Sequence, residues 1–294
     1  MYKRRLLFVD LMRVFGAGLV VMNHAWKPEI DWLYHWTFNF FGLREVNYGS
    51  LGVTLFLVAS GFSLAYNYSG FASWAEVKEF YKERLLRIYP AYWLFGVGFT
   101  LILFPSLWSC FSEFTTGDFI RLVTGFQSWG ATSATQFHGK INGTLWFVQL
   151  IVCLYIAYPL SIYCFKKRPK LSLASTFAIS ALSTYYFAYH TNYYISTDWI
   201  PTNRLFEFAI GVFMAVTGKY PQATSNFLAR YLGNLTFYVF LTNSSLLIFF
   251  KMNYLPFLLT LIVVSTAMCV LDKVLIKGLK LLYQEWRVDP WFMD

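Results

Sequence analysis

Eight stretches of this sequence are apolar and approach the length a helix needs to cross a bilayer: 5–26, 48–68, 88–108, 143–165, 171–189, 203–217, 231–250 and 255–276. A hydrocarbon core about 30 Å thick takes about 20 helical residues. Lipid offers the backbone no hydrogen bonds, so each crossing segment must satisfy its own amides, and a helix does so. Composition removes the soluble alternative. Hydrophobic residues make up 57% of the 294 and charged residues 13%, against about 25% charged in soluble domains. The sequence therefore predicts an all-α fold: a polytopic transmembrane bundle of about eight readable spans, forming one integral membrane domain over 1–294. The opening KRR followed by LLFV is like the start of a signal peptide. Asp10, Arg13 and His24 interrupt the apolar run, however, and no small-x-small cleavage site follows. It reads as an uncleaved first span.

The basic residues give orientation. Alternate connections hold seventeen Lys and Arg on one side and six on the other, with Arg13 inside a span. The richer set includes both ends of the chain, which predicts cytoplasmic termini and a multi-pass protein of the cell membrane. The net charge of +9 forms no contiguous patch, which argues against a nucleic-acid partner. Residues 71–87 mix charges with apolar residues at helical spacing and read as a helix on the cytoplasmic interface. Residues 109–142 form the longest outer loop, with a candidate interfacial helix at 118–129. The four cysteines lack metal-ligand spacing, so no metal site is expected. Oligomeric state is not legible.

Ionisable residues inside spans cost several kcal/mol unless paired or hydrated, and so mark functional cavities. Arg13 and His24 stand eleven residues apart, within about 20° of each other on the helix and about 16 Å along its axis. Asp10 is three residues before Arg13 and can pair with it. The alternative is a structural pair beside an interfacial histidine. Ser60 in the second span lies at a depth comparable to Arg13. Asn142, Trp146, Gln149, Arg204, Glu207 and Asn243 add polar groups toward the outer half. Gly49, Gly52 and Gly61 allow close helix approach. Near the cytoplasmic face, Arg84 and Arg87 share a helix face and suit either a phosphate clamp or lipid headgroups.

Taken in order, these pieces resemble the membrane acyltransferase-3 family over residues 6 to about 250. The resemblance rests on D-x-x-R-x10-H (Asp10, Arg13, His24) and on GVTLFLVASGF around Ser60. It continues through ERLLRIYPAYW (Arg84, Arg87, Tyr89), NGTLWFVQLIVCLYIAYP (Asn142, Trp146, Gln149) and RLFEFAIGV (Arg204, Glu207). Family members often carry Glu where Gln149 stands and His near Asn243, and their cores usually have ten spans. The resemblance implies transfer of an acyl group, most often acetyl, from acyl-CoA to a hydroxyl of an extracytoplasmic or cell-envelope carbohydrate. It implies no bound cofactor; acyl-CoA is a co-substrate. Catalysis would fall to His24, Arg13 and Asp10, and donor binding to Arg84, Arg87, Tyr89 and Ser60. Acceptor binding would fall to Asn142, Trp146, Gln149, Arg204, Glu207 and Asn243. A transporter or flippase of a glycan or lipid-linked precursor is the alternative; it needs the cavity but not the CoA clamp.

Overall fold

The computed structural model describes residues 5–24, 38–40, 44–126, 144–190, 199–250 and 253–282. All eight apolar stretches are helical. They correspond to α1 (Leu7–His24), α2 (Tyr48–Asn67), α3 (Trp74–Ala91) with its continuation, α6 (Trp146–Lys167), α7 (Pro169–His190), α8 (Leu205–Thr217), α9 (Phe227–Phe249) and α10 (Tyr254–Leu282). Two three-residue strands, β1 (Phe38–Phe40) and β2 (Arg44–Val46), pair antiparallel before α2. Among the described residues six helices are long and apolar enough to cross a membrane; α7 and α8 are not among them. The 13 residues of α8 extend only about 20 Å, and α7 is rich in Ser, Thr and Tyr. Large apolar side chains such as Phe15, Leu160, Leu182 and Val263 are exposed, as expected of a surface solvated by lipid tails.

The interfacial helix expected over 71–87 is instead the first part of one long helix. α3 runs directly into a π-helix (Tyr92–Gly98) and then α4 (Phe99–Leu103). Pro90 lies inside α3, where it has no N–H to donate. Just beyond it the bonding register widens, and the Phe99 amide donates to Leu94, five residues back. The helix that holds the bilayer-length run thus begins at Trp74, and its charged first half is part of the same rod.

The chain divides into two compact units: residues 1–73 with 149–236, and residues 74–148 with 237–294. In the first, α2 packs against α1 on one side and α8 on the other. Asn47 caps α2, its side chain accepting from the Ser50 amide at 2.8 Å. Glycines set the spacing. A β-carbon on Gly16 would stand 2.8 Å from the Gly52 carbonyl oxygen, and one on Gly52 2.5 Å from that of Gly16. On the other side, β-carbons on Gly61 and Gly211 would collide with the backbones of Phe208 and Val58. α2 therefore lies at near backbone contact with both neighbours, as small residues permit.

In the second unit the π-helix and α4 run alongside α9. Phe95 meets Tyr238 at 5.8 Å between centroids, and the Thr100 and Ser245 hydroxyls are 2.8 Å apart. Contacts that ascend together in both sequences mean the two helices run parallel. After α4, a 3-10 helix (Pro105–Glu113) leads to α5 (Thr116–Thr124), started by a Thr115–Asp118 capping box and ended by Gly125 at φ 76°. The Thr115 hydroxyl and amide hold the Asp118 carboxyl below its ordinary range. The carbonyls at the end of α5 have no partners within their own helix. Tyr92, Trp93 and Tyr89 donate to them at Leu122, Val123 and Thr124, at 2.6, 2.9 and 2.7 Å. The segment after Leu103 thus folds back along the helix it has just left.

Candidate active site

Asp10 is fully buried, and its closest cation is not Arg13. The Arg5 guanidinium grips the carboxylate, with Nη2 2.6 Å from Oδ1 and Nε 2.9 Å from both oxygens. Ser225 donates its hydroxyl to Oδ2. Arg5 also donates to the Asn234 side chain at 2.8 Å and the Arg230 carbonyl at 3.3 Å. Backbone bonds fix this knot: Leu7 N–H to the Ala223 carbonyl and Ser225 N–H to that of Arg5. Gly233 of α9 makes room, since a β-carbon there would stand 2.7 Å from Asp10 Oδ1. Arg13 remains 3.8 Å from Asp10 and donates to the Ser63 hydroxyl of α2 at 3.0 Å.

α1 and α2 are antiparallel. Near the other end of α1 the Asn23 side chain presses on Gly49 of α2, where a β-carbon would stand 2.8 Å from its amide. The next residue of α2, Ser50, receives Arg204. That guanidinium is fully buried. It donates to the Ser50 carbonyl at 3.2 Å and hydroxyl at 3.3 Å, to the Thr54 hydroxyl at 3.1 Å and to Glu207 at 2.9 Å. Thus α2 takes Arg204, and through it Glu207, toward its N-terminal end and Arg13 toward its C-terminal end, while His24 closes the last turn of α1, next to Asn23. Gln149 of α6, in the same unit, is fully buried with neither amide atom hydrogen-bonded among the described residues. Ser60 also lies in this unit, but Arg13 bonds Ser63 rather than Ser60.

The remaining expected residues belong to the second unit, and Asn142 lies outside the described residues. Arg84 is mostly buried, 4.0 Å from Glu83 and with its guanidinium 5.9 Å from the Phe80 ring centre. Arg87 is exposed. The Tyr89 hydroxyl is committed to Thr124. Asn243 is buried and donates to the Val239 and Phe240 carbonyls of its own helix, and Trp146 opens α6. Sequence reasoning missed Arg5 and Ser63, which no fixed helical spacing relates to Asp10 and Arg13. It also missed Asp272, an acid in the last span that the rule applied to Arg13 would have flagged.

Ion pairs buried between closely packed apolar helices, with six helices among the described residues long enough to cross a bilayer, define a multi-pass membrane protein. The family model for an acyltransferase domain, acyltransferase-3, matches residues 6–271, and the chain belongs to that family. Among curated proteins it is similar to nodulation protein 10 of Rhizobium leguminosarum bv. viciae, 25% identical over 205 residues that cover 62% of this chain and 51% of that protein. The chain therefore spans about half the length of the curated relative it matches. No solved structure matches it.

Proposed function

We propose that this protein transfers an acyl group, acetyl in the simplest case, from acyl-CoA to a hydroxyl of an extracytoplasmic carbohydrate. The observation that carries the reading is the arrangement on α1: an arginine and a histidine about 16 Å apart on one membrane-length helix, within the matched family region. That span is of the order of an extended pantetheine arm. The donor arrives at the cytoplasmic face, where Arg84 and Arg87 take its phosphates by charge-assisted bonds. Arg13, steadied by Ser63, stabilises negative charge on the donor.

His24 acts as general base. Its neutral imidazole takes the proton from the acceptor hydroxyl, whose oxygen attacks the thioester carbonyl; the C–S bond breaks and the CoA thiolate leaves with that proton. A variant route has His24 carry the acyl group briefly before the hydroxyl takes it. Arg204, Glu207, Gln149, Trp146, Asn243 and Asn142 receive the sugar. Two measurements test the proposal together: acetyl-CoA binding to the purified protein, and mass spectrometry of envelope glycans with and without the gene. Binding together with gene-dependent acetyl groups is the expected result. Absence of both overturns it in favour of a transporter.

A further inference from the structure

Where α6 meets α7, Lys166, Lys167, Arg168 and Lys170 crowd into one corner of the chain. α6 ends at Lys167 and α7 begins at Pro169, so Arg168 alone joins them. All four cations are exposed. Among the described residues none of them has a carboxylate partner. The chain supplies none nearby in sequence, since no Asp or Glu stands between Asp118 and Asp198. Lys166 turns back toward Gly70, with its Nζ 3.3 Å from where a β-carbon there would stand. Lys167 holds its Nζ 4.2 Å from the centre of the Tyr163 ring and donates to the Tyr163 hydroxyl. Both helices carry an exposed stripe that starts at this turn. On α6 it is Lys167, Tyr163 and Leu160; on α7 it is Lys170, Ala174 and Phe177. Steps of three and four residues keep each set on one helix face, over about 10 Å of axis. Each stripe is cationic at the turn and apolar beyond it.

We propose that this corner binds an anionic phospholipid, its headgroup phosphate on Lys167, Arg168 and Lys170 and its acyl chains along the two stripes. Two chemistries meeting at one place select the partner. A soluble anion would use the cations and leave the apolar stripes bare. A zwitterionic lipid would cover the stripes and bring the cations no net counter-charge. An anionic lipid does both, and basic clusters next to membrane helices recruit such lipids. Lysine suits the junction, because its methylene stem lies along apolar surface while the ammonium stays at headgroup level. On the expected topology the leaflet concerned is the cytoplasmic one, whose surface is negative. The inference does not depend on acyl transfer.

The experiment titrates the full chain in detergent with dioleoyl phosphatidylglycerol or dioleoyl phosphatidylcholine and reads bound lipid by native mass spectrometry. The two lipids share their chains and differ in net charge. Wild type should bind phosphatidylglycerol roughly tenfold or more tightly than phosphatidylcholine, since each cation at an anionic headgroup contributes about fivefold. Lys167→Gln/Arg168→Gln/Lys170→Gln should bring phosphatidylglycerol down to the level of phosphatidylcholine and leave the latter unchanged. Leu160→Ser/Phe177→Ser should weaken both lipids alike. Arg168→Gln alone, with an expected loss of about fivefold for phosphatidylglycerol, carries the comparison if the triple variant does not fold. Equal affinity of wild type for the two lipids, a phosphatidylglycerol preference kept by the charge variants, or full lipid binding by the stripe variant overturns the proposal. Inorganic phosphate is the soluble control: if it displaces phosphatidylglycerol at equal concentration, the turn is an anion site without a lipid, and the proposal is again overturned.

Discussion

The Asp10 carboxylate lies 2.6 Å from the Arg5 guanidinium and 3.8 Å from that of Arg13. The acid that the D-x-x-R spacing assigns to Arg13 is held mainly by an arginine just before the first helix. Arg13 is thereby left nearer to Ser63, on a neighbouring helix, than to Asp10.

This reverses the expected cost of removing Arg13. If Arg13 were the sole partner of Asp10, Arg13→Ala would strand a buried charge. Arg5 and Ser225 stay behind, so stability should change little and activity should fall. Arg5→Ala should instead destabilise the protein by about 2–4 kcal/mol, near the range for breaking a buried pair. Thermal unfolding in detergent of the two variants checks the order; equal losses would refute it.

His24→Ala should abolish acyl transfer while leaving expression and chromatographic behaviour close to wild type. The histidine sits in the last turn of α1, beyond the glycine contacts that join α1 to α2, so its loss opens no core. Full transfer by the variant would remove His24 from the mechanism.

Packing predictions follow from the glycines. Gly61→Ala and Gly211→Ala each force a methyl group into a neighbouring backbone and should cost about 1–3 kcal/mol or more. Gly18→Ala meets nothing within 4 Å and should be neutral or slightly stabilising, since alanine favours the helix. Yields and melting temperatures of the three variants in one detergent test the contrast.

On the donor side, Arg84→Ala should raise the CoA dissociation constant about tenfold, and lysine should restore little of it because it lacks the planar fork. Tyr89→Phe should behave differently. Its hydroxyl is occupied by the Thr124 carbonyl, so losing it should cost about 1 kcal/mol of stability and change CoA affinity less than twofold. Calorimetric titration with CoA separates the two. A large loss of CoA affinity in Tyr89→Phe would return that residue to the donor site.

The sequence alone determined where the helices are, because runs of apolar residues long enough to cross a bilayer have few other stable conformations. It also singled out Asp10, Arg13, His24, Arg204 and Glu207, because a charge inside such a run needs a reason. Arg204 and Glu207, three residues apart, are neighbours by helical geometry alone, and they form the ion pair that this spacing suggests. Tertiary structure decided the partners across helices. Arg5 reaches Asp10 because the Leu6–Thr224 bridge pins the chain beside α9, and no periodicity encodes that meeting. Arg13 reaches Ser63, and Arg204 reaches Ser50 and Thr54, because paired glycines bring α2 close to both neighbours. The join between residues 71–87 and the following span was also a tertiary outcome. Local charge pattern favours a break at Pro90, but a π-helix absorbs the missing bond, and the aromatic contacts to α5 hold the rod continuous. Spacing along one helix is a property of the chain; register between helices depends on which side chains leave room for another backbone.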